Sequence, residues 1–295
     1  MKTKCVVGIF ALIALLMLTF FCLRRKPVPT SERNSTLYSV TNDIAAVNLS
    51  SGAGISRARH ENPCPLLEIV DQWAGRVRSE TERHLYRFRA NPAEFENSEG
   101  YFRMLMMAVV LHEDFGVRYD PKLISEPDTG AADYGFFADP ANVFIHGLLS
   151  EKRTGTCSSM PVLYVAIGRR LGYPLKLATT KAHLFIRWEG DGERFNLEAT
   201  GKGMNRYDDE HYKRWPFPVS EEEIQADGFL KSLTPDEEMA LFLSTRGHCF
   251  MATHRYSEAA ESYAKAAELA PASRGYRLLY TNAVRTAQFA KEDKP

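Results

Sequence analysis

Hydrophobic and polar positions fall into three regimes along the chain. From Cys5 to Leu23 every residue is apolar or small except Thr19. As a helix at 1.5 Å per residue this run reaches roughly 28 Å, close to the hydrocarbon thickness of a bilayer. The pattern predicts a transmembrane helix within residues 1–26. Its end, Thr19-Phe20-Phe21-Cys22-Leu23-Arg24, lacks the small-x-small site of a cleaved signal peptide, so the segment is expected to remain as an anchor. Residues 27–60 are rich in Ser, Thr, Asn and Gly without long apolar runs, and read as a flexible tether. Two Asn-x-Ser/Thr matches, at Asn34 and Asn48, fall inside it.

Helical periodicity begins after Pro63. Leu66, Ile69, Val70, Trp73 and Val77 recur on one face, and Met104, Leu105, Ala108 and Leu111 do the same within Glu99 to Phe115. Both runs are expected as core helices, with His112 and Asp114 at a solvated end. Asp-Pro and Glu-Pro pairs then punctuate an irregular stretch broken by a short helix from Asn142 to Leu149. A strongly apolar run from Val162 to Leu171 follows, stopped by Gly172 and Pro174.

Beyond it the period changes from helical to alternating. Leu175 to Thr179 reads as a strand, and His183 to Glu189 and Arg194 to Thr200 flank Gly190-Asp191-Gly192-Glu193, a strong hairpin signal. With Asp191-Gly192 as a two-residue turn, Trp188 falls opposite Phe195, Ile186 opposite Leu197 and Leu184 opposite Ala199. One face is then wholly apolar. The other carries His183, Phe185, Arg187, Asn196, Glu198 and Thr200, and a one-residue slip would mix the two faces. His183 and Glu198 therefore share a side.

Charge and composition change the picture mainly by exclusion. The chain has 295 residues and zero formal net charge, so no basic footprint points to nucleic acid. Its cysteines, Cys5, Cys22, Cys64, Cys157 and Cys249, are odd in number and widely spaced. That fits neither a disulfide framework nor a paired zinc site, so no metal or cofactor is expected. Basic residues on the two sides of the apolar run nearly balance. The short basic head before that run is the layout of a signal anchor, which would place the soluble part outside the cytoplasm.

Chemistry concentrates at Gly155-Thr156-Cys157-Ser158-Ser159-Met160-Pro161. The thiol stands where an irregular segment enters a helix, and unpaired N–H groups at a helix start favour a thiolate. Gly155 is expected to let the chain turn tightly, and Pro161 to fall in the first helical turn. A thiol nucleophile needs an imidazole to take its proton, and the imidazole needs an acceptor to fix its tautomer. Cys157, His183 and Glu198 supply these three roles.

These residues resemble the transglutaminase-like superfamily of cysteine enzymes, especially its bacterial SirB-type branch. The likeness runs from Gly155-Thr156-Cys157 through the Gly172-Tyr173-Pro174 exit, Ala182-His183-Leu184-Phe185 and Phe195-Asn196-Leu197-Glu198-Ala199-Thr200 to Gly201. It implies an α+β, papain-like core in which a helix bearing the cysteine packs on an antiparallel sheet bearing the histidine and the acid. It carries over Cys157 as nucleophile, His183 as general base and acid, and Glu198 as the orienting residue, where many members have Asp. The Cys157 N–H would supply one oxyanion donor and an upstream side chain another, with Asn142 the candidate.

Near the carboxy end, Leu243, Gly247, Phe250, Tyr256, Ala259, Tyr263, Ala266 and Pro271 sit at the offsets of a tetratricopeptide repeat. The resulting division is an anchor at 1–26, a tether at 27–60, a catalytic domain at 61–233 and a helical module at 234–295. The expected activity is formation of a thioester on an amide or peptide substrate and transfer of the acyl group to water or an amine. The alternative is a non-catalytic scaffold that holds a peptide partner at the helical repeat.

Overall fold

The computed structural model describes residues 43–55, 63–123, 134–200 and 205–292. The expected membrane run and the first part of the expected tether lie outside these residues. Among the described residues no helix is long and apolar enough to cross a membrane. Asp43–Pro295 forms one compact unit.

Its first element contradicts the tether as read. Helix α1, Ile44–Gly52, is capped by the Asp43 carboxylate, which accepts from Ala45 N at 2.9 Å, and it buries Ile44, Ala45, Ala46, Asn48, Leu49 and Ser51. Small and polar residues make this segment look like a linker, yet two of them bond inside the fold while Asn48 Nδ2 is buried without a partner among the described residues. Ser51 donates to Val47 O at 2.8 Å, and Asn48 Oδ1 accepts from Ile145 N at 3.0 Å. The Asn48 side chain of that motif is consequently buried and packed.

Helix α2, Cys64–Ala90, buries Val70, Trp73 and Val77 of its predicted stripe, with Ala74 beside them and Leu66 and Ile69 partly buried against the same cluster. Helix α3, Glu99–Val109, starts at the Ser98 cap and continues into a π turn over Val110–Asp114. Asp114 at that end pairs with Arg76 at 2.7 Å. Strand β1, Arg118–Tyr119, runs parallel to β2, Thr154–Gly155. The described residues between them include three short α-helices, α4 (Tyr134–Ala138), α5 (Pro140–Val143) and α6 (Ile145–Leu149). The single short helix expected over Asn142 to Leu149 is thus broken at Phe144, whose backbone is extended.

Helix α7, Met160–Arg170, buries every residue from Met160 to Gly168. It lies on a four-stranded antiparallel sheet of sequential order: β3 (Leu175–Thr180), β4 (His183–Gly190), β5 (Glu193–Glu198) and β6 (Asn205–Tyr207). Gly168 permits that close approach, because a Cβ there would stand 2.2 Å from Leu175 Cδ1. The hairpin register is the one its alternation selects: Ile186 faces Leu197, Trp188 faces Phe195 and Gly190 faces Glu193. Asp191 and Gly192 both have positive φ, 55° and 79°, as a type I′ turn requires.

The two faces of the hairpin have different covers. Leu184, Ile186, Trp188, Phe195 and Leu197 join the main core with α7. The second face is buried as well, beneath α8 (Asp209–Tyr212), with Phe185 packed on Tyr212 at 3.8 Å. Helix α9, Glu221–Asp227, follows with a capping box at Ser220.

Three helices close the unit: α10 (Pro235–Ala252), α11 (Tyr256–Leu269) and α12 (Arg274–Glu292). The boundary expected at residue 233 separates no independent core, because Phe242, Cys249, Phe250, Ala259 and Tyr263 belong to the same apolar cluster as α1 and α7. Arg169 of α7 makes a two-pronged contact with the buried Glu238 of α10, at 2.9 and 2.6 Å. Arg246 donates to Ser51 O and Ala53 O at 2.8 and 2.6 Å, and Arg255 to Ile55 O at 2.7 Å, gripping the exit of α1.

Candidate active site

Cys157 sits in a tight turn that feeds α7 rather than inside the helix, which begins at Met160 with Ser159 as its cap residue and Pro161 in the first turn. Met160 N and Ser159 N both bond back to Thr156 O, at 2.9 and 3.2 Å. The turn is anchored from beneath. Thr156 Oγ1 and Ser159 Oγ, both fully buried, donate to the Asn142 carbonyl at 2.8 and 3.0 Å. Thr156 N returns a bond to Ser159 Oγ at 3.1 Å. With its neighbours so held, the half-buried free thiol of Cys157 has a defined place.

His183 opens β4, immediately after a tight turn in which Ala182 has φ 60°. Its side chain is 4% exposed, and Nε2 lies 2.7 Å from Glu198 Oε2. The imidazole also hydrogen-bonds the Cys157 thiol. The structure therefore brings the three residues into one chain of contacts, thiol to imidazole to carboxylate. Burial alone would lower the His183 pKa; the bonds to Cys157 and Glu198, with the attraction of their charges, outweigh it and raise the value to about 9.

Glu198 ends β5 and is nearly sealed from water. Burial alone would push its pKa up, but the His183 bond and charge, with the Thr200 bonds, hold it below the usual carboxylate range. Thr200 N and Oγ1 donate to Oε1 at 2.9 and 2.6 Å, and the Tyr212 hydroxyl approaches Oε2 at 3.4 Å. Glutamate is long enough to meet the imidazole from the end of its strand while keeping Oε1 on the Thr200 backbone.

Asn142 has another place than the one expected. Its carbonyl anchors the Cys157 turn, Nδ2 donates to Phe136 O at 3.4 Å, and Oδ1 accepts from Lys152 Nζ at 2.9 Å. Those contacts make it a support for the Cys157 turn. The side chain that meets the Cys157 backbone N–H is instead Tyr119, whose hydroxyl also donates to Leu123 O at 3.4 Å. Burial first, then the nearby Cys157 and Glu198, push the Tyr119 hydroxyl up, so it stays protonated. Sequence reasoning missed Tyr119 because a two-residue strand has no readable period.

It missed the roof over His183 for the same reason. Tyr212 lies parallel to the imidazole at 6.2 Å, and Trp215 meets it edge-on at 4.6 Å. Burial and the adjacent Glu198 push the Tyr212 hydroxyl up, keeping it a donor. The four-residue helix carrying Tyr212 is held by Arg187, 1% exposed, which donates to Asp209 at 2.6 Å, Asn196 at 2.7 Å and Leu230 O at 2.8 Å. Among the described residues no group of His, Cys, Asp and Glu is arranged to hold a metal ion.

Comparison with known families gives one match. The family described as Transglutaminase-like superfamily matches residues 129–237, the stretch containing Asn142, Cys157, His183, Glu198 and Trp215. The match supports that superfamily for the core, and the helix-on-antiparallel-sheet architecture fits its α+β core. No curated protein and no solved structure matches the chain.

Proposed function

We propose that this protein is a cysteine-dependent acyl enzyme that forms a thioester at Cys157 from an amide or peptide substrate. The observation that carries the reading is the buried His183, bonded on one side to the Cys157 thiol and on the other to Glu198. In the first step the sulfur attacks the carbonyl carbon and the thiol proton resides on His183. The tetrahedral oxyanion faces the Cys157 N–H, with the Tyr119 hydroxyl as a second donor that must first turn from the Leu123 carbonyl. Collapse breaks the C–N bond, His183 protonates the departing amine, and a thioester remains. Water or a second amine, deprotonated by His183, then attacks the thioester and restores the thiol.

Glu198 keeps its charge throughout and fixes which imidazole nitrogen faces the sulfur. We read the apolar run from Cys5 to Leu23 as a membrane anchor presenting this unit on the extracytoplasmic side, on the strength of its length and flanking charges. We read α10 and α11 as a tetratricopeptide-type pair, supported by Gly247, where a Cβ would stand 2.5 Å from Tyr263 Cε1. Arg246 and Arg255 of this module are engaged with the exit of α1, so its role here is internal support.

The test is acylation with p-nitrophenyl acetate. A burst of p-nitrophenolate with one acetyl group on Cys157 by intact mass is the expected result. Loss of the burst in Cys157→Ala and His183→Ala completes it. A wild-type protein with neither burst nor adduct refutes the reading.

A further inference from the structure

Two of the exposed large apolar side chains belong to the loop that follows α8, and one of them, Trp215, touches the His183 imidazole. Trp215 is 40% exposed and Phe217 37% exposed, two residues apart. Single exposed aromatics are ordinary on a protein surface. Here, however, the indole is in edge contact with His183, whose own side chain is only 4% exposed.

The loop that presents it is built. Trp215 N donates to His211 O at 2.9 Å, and Val219 N closes the loop on Lys213 O at 3.0 Å. The His211 ring stacks on Tyr207 at 3.9 Å and lies 5.5 Å from the indole. An aromatic platform held by these contacts, with a large part of its surface left open, is a binding surface awaiting an apolar group.

Which half of a substrate reaches it follows from the proton's path. His183 hands its proton to the departing amine and takes one from the incoming nucleophile, so the amine nitrogen must stand on the imidazole side of the sulfur. Groups attached to that nitrogen project toward whatever flanks the imidazole, and Trp215 does. Resting on the acyl-enzyme reading above, we propose that Trp215 and Phe217 form a specificity site for amines bearing an apolar or aromatic group. The same position serves the leaving amine of an amide and the acceptor amine of a transfer. In the transfer step the amine nitrogen attacks the thioester carbonyl, the C–S bond breaks as C–N forms, and the amine proton passes through His183 to the sulfur.

The experiment uses the acetyl enzyme formed from p-nitrophenyl acetate. Its deacylation is followed with 2-phenylethylamine and, separately, with 2-methoxyethylamine at equal concentration. The expected preference for the aromatic amine is about 10-fold, the discrimination typical of one apolar group in a matching site. Because the ratio is taken within each variant, any general effect on His183 cancels. The ratio should fall to about one in Trp215→Ala, fall part-way in Phe217→Ala, and be largely kept in Trp215→Phe. Equal rates with the two amines in the wild type, or an unchanged ratio in Trp215→Ala, overturn the site while leaving the thioester chemistry standing. Absence of any burst in the wild type defeats the acyl-enzyme reading and this inference with it.

Discussion

A Cβ on Gly155 would stand 2.6 Å from Ser159 Oγ, and 2.7 Å from Leu148 Cδ2 behind it. The glycine is therefore required by lack of space rather than by a turn. Ser159 cannot yield without releasing the Asn142 carbonyl and Thr156 N, the bonds that hold the Cys157 turn. Gly155→Ala should lower the acylation rate about 100-fold, the usual effect of displacing a reacting group by about 1 Å. Its overpacking should cost about 1–3 kcal/mol in urea unfolding. A variant acylated at the wild-type rate would show that the turn tolerates displacement.

The His183–Glu198 pair fixes a pH dependence. The folded protein favours protonated His183, with a pKa of about 9 against the ordinary 6.5. Its contribution to stability is full below pH 6.5 and is lost as pH rises through about 9. Glu198, shifted the other way, contributes above the ordinary 4.5 and loses that contribution as pH falls through its depressed value. In Glu198→Gln the His183 titration should move to lower pH, and the decline in urea midpoint between pH 6.5 and 9 should flatten. Proton NMR of the imidazole and unfolding at several pH values measure both; an unmoved titration contradicts the pairing.

Arg187 tests whether the roof over His183 is held from below. Its guanidinium joins β4, β5, α8 and the Leu230 carbonyl while 1% exposed. Arg187→Met removes the donor and leaves Asp209, Asn196 and Leu230 O without it. The expected loss is about 3 kcal/mol, at the low end for breaking a buried pair. Urea unfolding gives the figure, and a loss below about 1 kcal/mol would mean that water replaces the guanidinium.

The grip on α1 is testable by double substitution. Arg246→Ala with Arg255→Ala leaves the carbonyls of Ser51, Ala53 and Ile55 without their charged donors. Charged hydrogen bonds contribute about 1.5–3 kcal/mol each, so α1 should exchange its amides faster than α7 in the double variant. Equal protection of the two helices would show that apolar burial alone seats α1.

The readable parts of this fold were those with a period. Alternation around Asp191-Gly192 set the register that places Ile186 opposite Leu197, and the apolar run after Cys157 announced α7. The shortest elements were not readable, because β1, α5 and α8, of two to four residues, are too short to repeat a period. That is why Tyr119, Tyr212 and Trp215 went unseen and Asn142 received the wrong task. Helix α1 was hidden for a different reason: its Ser, Asn and Gly composition mimics a linker, and contacts about 100 to 200 positions distant hold it.

That distance sets an order of events during synthesis. Arg246 meets Ser51 across 195 positions, and Arg255 meets Ile55 across 200. At roughly 5–20 residues per second, a ribosome needs on the order of 10–40 s to deliver the arginines after α1 has emerged. Cys157 is made in that interval, in the turn that feeds α7, whose Arg170 binds Asp43 at the start of α1. Cys157 and its turn are thus translated before α10 and α11 can close the unit over α1.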